Sequence, residues 1–210
     1  MLYFDTLPKI LTKDQNGNYI AMTNLLTRAT LLEKLQNNPM LFYKYSIQDG
    51  DTPEIIADKY YSDSYRYWII LYSNQILDPV WQWPLEYNQF LSYIDAKYKT
   101  VAETENKTPF EYVTSTVYAY QKTITTTDNE TLQTTTEIIN IDQTTYNSLT
   151  QSTHSYTLPN GTSCEVTVDK NIQYIYDYEY ALNESRREIK IMDSAFALQM
   201  EEQLKSVMGT

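Results

Sequence analysis

The pair Thr52-Pro53 fixes where a helix must begin, and the strongest pattern in the chain is organised around it. A threonine hydroxyl accepts from the free amides of a first helical turn. Proline at the first helical position lacks the N–H that would be unpaired there anyway. Upstream, Phe42-Tyr-Lys-Tyr-Ser-Ile47 has the aromatic and β-branched content of a short strand. The intervening Asp49-Gly50-Asp51 has the residues of a cation loop, a tight turn or a strand-to-helix junction. A calcium loop of the EF-hand kind needs oxygen ligands at alternate positions, glycine at the sixth and glutamate at the twelfth. Here Gly50 falls between the two aspartates and Pro53 takes the next alternate site, so that pattern fails.

Downstream, Ile56, Ala57 and Tyr60 share one helical face. Ser62-Asp63-Ser64 breaks and recaps the chain, and Trp68, Leu71 and Tyr72 predict a second helix over Tyr65–Ser73. Asn74 suits a left-handed stop, Ile76–Val80 a returning strand, and Trp81-Gln-Trp-Pro84 the close. The expected unit is strand, helix, helix, strand over residues 42–84.

Around that unit the pattern changes four times. Residues 1–41 predict an arm and a helix: Asn16-Gly17-Asn18 is a turn signal, and Leu25, Leu26, Ala29, Leu32 and Leu35 recur at helical spacing. Residues 85–107 predict a short helix, with Tyr87, Phe90, Leu91, Ile94 and Tyr98 on one side, and a polar connector from Thr100 to Thr108. Residues 108–169 are threonine-rich. The runs Tyr112–Thr125 and Leu132–Ile141 predict strands, Asp142 a cap for one helical turn, and Ser155–Leu158 with Ser163–Val168 a hairpin about Pro159-Asn160-Gly161. Residues 170–210 predict one long helix, because Ile175, Leu182, Ile189 and Phe196 repeat every seven residues. A helix of that kind packs on its own domain or on another chain, and the pattern does not choose between them.

Composition narrows the chemistry. The net charge is −11 with no basic run, which repels a phosphate backbone and an anionic membrane surface. No stretch has the length or apolarity of a membrane span, and the N-terminus has no signal-peptide pattern. One cysteine, Cys164, fits synthesis in a reducing cytoplasm. One histidine, His154, is too few for a conventional zinc centre and stands among Ser and Thr with no sign of a triad. No phosphate loop is present, and no pair of carboxylates stands out. No catalytic residue, cofactor or metal ligand is expected. The 21 tyrosines suit interfaces or a half-wet core.

Residues Tyr45-x-Ile47, Gly50-Asp51-Thr52, Ile55-Ile56-Ala57, Tyr60, Ile70, Asn74, Ile76 and Pro79 together resemble the LysM module, a small βααβ domain known for binding N-acetylglucosamine glycans. Pro53 departs from it, standing where that module usually has an apolar residue. The block Tyr65-Arg-Tyr-Trp-Ile-Ile-Leu-Tyr-Ser-Asn74, then Asp78-Pro79 and Trp83, is similar to the baseplate wedge protein 53 family of contractile-tailed bacteriophages. So are Met22-Thr23 with Arg28, and Tyr178-Glu179, Leu182-Asn183-Glu184, Arg187 and Ile189-Lys190-Ile191.

The resemblance implies a structural part of the virion tail baseplate, made in the host cytoplasm and present in several copies in a six-fold ring. Its partners would be other wedge proteins, without nucleic acid or membrane. The implied fold is α+β: a LysM-like βααβ unit with flanking helices, an inserted antiparallel β-subdomain and a long C-terminal helix. Candidate partner-binding residues are Tyr60, Tyr61, Tyr67, Trp68, Trp81, Trp83, Tyr178, Leu182, Ile189 and Phe196. The second reading is a peptidoglycan-binding module using Asp49, Gly50, Asp51, Asn74 and Ile76. Removing everything after about Lys170 is expected to leave the central unit folded.

Overall fold

The computed structural model describes residues 3, 7–25, 27, 38–157 and 161–208. The helix expected over residues 25–35 and the turn residues Pro159-Asn160 lie outside the described residues. In chain order, strands β1 (Lys9–Lys13), β2 (Tyr19–Thr23) and β3 (Phe42–Ser46) precede helices α1 (Pro53–Tyr61), α2 (Tyr67–Ser73), α3 (Pro79–Gln82), α4 (Tyr87–Thr104) and α5 (Pro109–Ser115). Strands β4 (Val117–Asp128) and β5 (Thr134–Ile141), helix α6 (Gln143–Ser148), and strands β6 (Ser152–Thr157) and β7 (Ser163–Tyr174) follow. Helix α7 (Ile175–Glu184), strand β8 (Glu188–Met192) and helix α8 (Ser194–Met208) end the chain. The class is α+β with antiparallel sheets and a C-terminal helix. Two compact units result, one of residues 1–86 with 183–210 and the other of residues 87–182.

The first unit is closed by the two ends of the chain. Strand β3 pairs antiparallel with β8, Tyr45 opposite Ile189 and Tyr43 opposite Ile191. The helices lie between these strands in sequence, as expected, but the closing strand is Glu188–Met192 and not Ile76–Val80. At the expected position Asp78 caps the Val80 amide at 3.0 Å and Pro79 opens α3. Gln82 Oε1 accepts from the amides of Leu77 and Asp78 at 2.7 and 2.9 Å. Those amides are satisfied locally, so no strand partner is needed.

The single helix expected from residue 172 is likewise divided into α7, β8 and α8. The seven-residue spacing of Ile175, Leu182, Ile189 and Phe196 is real, but Ile189 and Ile191 also alternate, and the β period wins. Strand β3 needs a partner, and both isoleucines are buried in the resulting core.

Thr52 caps α1 as the sequence predicts, its hydroxyl accepting from Ile55 N at 3.3 Å. The second helix begins later than expected, after a 3-10 turn at Ser64–Arg66. Its left-handed stop is Gln75, with φ 57°, rather than Asn74. Ile56, Ala57, Ile69 and Ile70 meet Ile191, Met200 and Leu204 in one core, so α8 packs as a brace of its own unit. Arg66 fastens it through a bidentate bond to Glu201, at 2.9 and 3.3 Å.

In the second unit α4 runs on to Thr104, through part of the expected connector, and α5 takes in Tyr112–Ser115, the start of the strand expected over Tyr112–Thr125. Thr108 accepts from Glu111 N at 3.2 Å and Glu111 returns a bond to Thr108 N at 2.9 Å, a complete capping box. The sheet has the order β5-β4-β7-β6, antiparallel throughout, and includes the expected last hairpin. Helix α6 crosses between its edges, capped by Asp142 as expected. Aromatic rings fill the helical part: Phe90 meets Tyr176 and Tyr180 edge-on at 5.8 and 5.9 Å, and Tyr118 stacks on Tyr178 at 3.8 Å. Here the tyrosines make a half-wet core.

Beside them the buried Glu179 carboxylate accepts from Lys97 at 2.6 Å, Tyr98 at 2.7 Å and Tyr93 at 3.2 Å, stapling α7 to α4. Burial pushes its carboxyl up, but the bonds from Lys97 and Tyr98 outweigh burial and hold it below the ordinary value of 4.5. Burial and the bond to Glu179 push the Tyr98 hydroxyl up to about 12.

A carboxyl whose folded pKa is depressed contributes stability that is present above its unfolded value and lost as pH falls through the folded one. The stability of this unit against heat should therefore fall as pH drops below about 4.5. Glu179→Gln should flatten that acid-side slope, and an unchanged slope would remove Glu179 from the account. Truncation after Lys170 removes β8 and α8 together. Contrary to the sequence expectation, it should abolish cooperative unfolding of the first unit, readable by near-UV circular dichroism.

Candidate assembly interface

The candidate residues divide sharply by burial. In the first unit Tyr61, Trp68 and Ile189 lie in the core, where Tyr61 donates to Met192 O at 2.9 Å. Tyr67 and Trp83 are half-buried; the Trp83 indole donates to Asp51 O at 2.9 Å and ties the end of the helix pair to the loop before α1. Tyr60, Trp81 and Phe196 are exposed. Lys59 lies over the rings of Tyr45 and Tyr60, at 5.3 and 5.8 Å. In the second unit Tyr178 is half-buried under Tyr118, and Leu182 is exposed near the end of α7.

The residues of the glycan reading are engaged within the fold. Asp51 accepts from Tyr45 OH at 2.6 Å and from Gln48 N at 2.9 Å. Asp49 accepts from Arg187 at 2.9 Å. Gly50, at φ 91°, takes the left-handed turn that glycine allows. Asn74 behaves as an extra residue of a strand. Its amide nitrogen donates to Lys190 O at 2.7 Å and Ile70 O at 2.8 Å, and its oxygen accepts from Lys190 N at 2.8 Å. One carboxamide thus locks the end of α2 to β8. Ile76 is half-buried beside it in the chain. On the other flank Arg187 reaches Glu184 at 2.8 Å and the carbonyls of Ile47 and Leu85 at 3.3 Å. Asn183 exchanges two bonds with the backbone of Leu85, at 2.8 and 3.0 Å.

Between these clamps stands a feature the residue-by-residue reading caught only at Trp81. Leu77, Val80 and Trp81 are 82%, 74% and 69% exposed, three large apolar side chains within five residues. Their backbone is held by the Asp78 cap, by the two bonds to Gln82, and by Arg186, which donates to Trp81 O at 2.8 Å. A rigid backbone displaying tryptophan among aliphatics has the chemistry of a binding hot spot, because little entropy is lost when it is covered. The signal was available: Asp78-Pro79 repeats the cap-and-proline logic of Thr52-Pro53 and argues for a short helix.

Among the described residues no group of three or more His, Cys, Asp or Glu side chains is placed to hold a metal ion, and no helix is long and apolar enough to cross a membrane. His154 is exposed on β6, and Cys164 is buried in the neighbouring strand.

The first unit is thus a braced α+β unit that carries an exposed apolar knuckle. The family model for base plate wedge protein 53 matches residues 1–202, and the chain belongs to that phage family. It is accordingly a structural protein of the phage tail baseplate. A search of curated proteins finds no match to the chain.

Asn74→Ala should remove the side-chain bonds to both backbone groups of Lys190 and cost about 1–3 kcal/mol in urea unfolding. A midpoint equal to that of the parent protein would show that the clamp contributes nothing.

Proposed function

We propose that the protein joins neighbouring wedge subunits during assembly of a contractile tail's baseplate, in several copies arranged as a six-fold ring. In this reading the LysM-like unit of β3, α1, α2 and β8 serves protein contacts rather than sugar binding. The observation that carries the reading is the knuckle of Leu77, Val80 and Trp81. Burying three such side chains stabilises a complex, while leaving them in water on a rigid support gives the isolated subunit nothing. Tyr60 and Phe196 are further exposed points of contact on the same unit. Membership of the wedge family supports other wedge proteins as the partners.

Peptidoglycan binding is the weaker reading. The polar atoms of Asp51 and Asn74 that would meet a sugar are occupied by Tyr45, Gln48, Ile70 and Lys190. A ligand using them would have to break bonds that hold the unit together.

Co-expression of the chain with the other wedge proteins, followed by affinity purification, tests the proposal. Trp81→Ala should cost about 2 kcal/mol or more of binding, roughly thirtyfold in affinity, with the melting temperature unchanged because the side chain touches little of its own unit. Full retention of the wedge proteins by a Trp81→Ala, Leu77→Ala double variant would overturn the assignment of this knuckle. Specific retention on peptidoglycan would restore the sugar reading.

A further inference from the structure

The hairpin β1–β2 is exposed along nearly all of both strands. Ile10 pairs with Met22, Leu11 with Ala21 and Lys13 with Tyr19, and Asp14 fastens the turn by accepting from the amides of Asn16 and Asn18, both at 2.8 Å. Its two strands pack on each other and make no extensive contact with another described element. Ile10, Ile20 and Met22 are exposed on one face, Leu11 and Tyr19 on the other. An isolated two-stranded ribbon is marginal in water, and a third strand paired at its edge stabilises it. Such a strand bonds the free backbone groups and gives the side chains of both faces cross-strand neighbours.

The same chain carries an edge that accepts such a strand. In the sheet β5-β4-β7-β6, the outer edge of β5 is unpaired among the described residues. Natural edges are blunted by lysine, proline or bulges. Strand β5, Thr-Thr-Thr-Glu-Ile-Ile-Asn-Ile, has no lysine or proline, and Glu137 is its one charged side chain. Ile138, 59% exposed, points to one face, and Glu137 and Ile139 share the other. The opposite edge, β6, carries only Tyr156 as a large apolar side chain.

Strand β1 is complementary in charge and in alternation. In a chain of net charge −11, the hairpin is locally basic, with Lys9 and Lys13 against Asp14. Lys9, Leu11 and Lys13 share one face of β1, and Ile10 lies on the other. Set Leu11 opposite Ile139. A parallel pairing then brings Lys9 to Glu137 and Ile10 to Ile138, and an antiparallel pairing brings Lys13 to Glu137. Either direction matches apolar to apolar and lysine to glutamate.

We infer that the β1–β2 hairpin of one copy adds as a strand to the β5 edge of a second copy, so that the protein links to itself as well as to other wedge proteins. The inference rests on the assembly reading and deepens it by naming one partner. Backbone hydrogen bonds supply the affinity, and the Lys–Glu and Leu11–Ile139 pairs set the register.

The test uses the full chain with Cys164→Ser throughout, as two variants that each carry one cysteine, Leu11→Cys with an affinity tag and Ile139→Cys without one. Directly opposed residues bring their Cβ atoms within about 5.5 Å, close enough for oxidation to a disulfide. Mixing and mild oxidation should give the mixed disulfide dimer, whereas Leu11→Cys mixed with Thr153→Cys, on the β6 edge, should not. Independently, Leu11→Asp should weaken self-association in light scattering by about tenfold or more. The exposure of Leu11 keeps the fold out of that result. Absence of the mixed dimer overturns the inference, as does closure only within one chain in a Leu11→Cys, Ile139→Cys double variant. A monomer that still co-purifies with wedge proteins sinks this inference and leaves the assembly reading standing. A self-linking chain that retains no wedge protein sinks the assembly reading instead.

Discussion

The pairing of β3 with β8 is the constraint on which the first unit depends. It joins residues 42–46 to residues 188–192, so half of a small core arrives only after the chain has built a complete second unit. Such a closure loses more loop entropy than a local hairpin, because the cost rises with the length of chain enclosed. The structure offsets that cost with concentrated bonding around the strand. Asn74 binds Lys190 as another strand residue would, Arg187 gathers Glu184, Asp49 and two carbonyls, and Tyr61 holds Met192 O. Helix α8 then adds Ala197, Met200 and Leu204 to the core. A chain so arranged is braced before it meets a partner.

That bracing is what makes the exposed apolar residues informative. Leu77, Val80 and Trp81 sit on a backbone whose polar groups are satisfied internally, so their exposure is not the by-product of a loose loop. The hairpin β1–β2 is the opposite case, a piece whose turn is bonded locally but whose large apolar side chains are mostly exposed among the described residues. Under the proposed assembly role, rigid knob and exposed ribbon would be two ways of holding a contact surface ready while the subunit is free.

Much of the local structure was legible in the residues. Thr52-Pro53, Asp142 and the strands flanking Gly161 acted as their chemistry dictates. Thr108-Pro109 followed by Glu111 is as clear a helix start as Thr52-Pro53, yet threonine and aromatic content argued for strand. Asp78-Pro79 was read as strand for a similar reason, although proline has no amide to give a ladder. Asn16-Gly17 was recognised as a turn, but β1 and β2 beside it are apolar on both faces and lack the clean alternation that marks a half-buried strand. Of the candidate contact residues, all equally good on residue type, Trp81 is exposed whereas Tyr61, Trp68 and Ile189 are core.

The sequence by itself determined the class of the fold, the places where helices start, the absence of a recognisable zinc or phosphate-loop pattern and the resemblance to a wedge protein. These follow from local chemistry: caps, prolines, β-branched runs and the kinds of side chain available. The tertiary structure alone decided that Ile189 and Ile191 form a strand, because a seven-residue and a two-residue repeat coexist there and only a waiting partner strand breaks the tie. It also decided which aromatic residues are core and which are surface, because burial depends on what packs above a residue, and here much of that arrives from the far end of the chain.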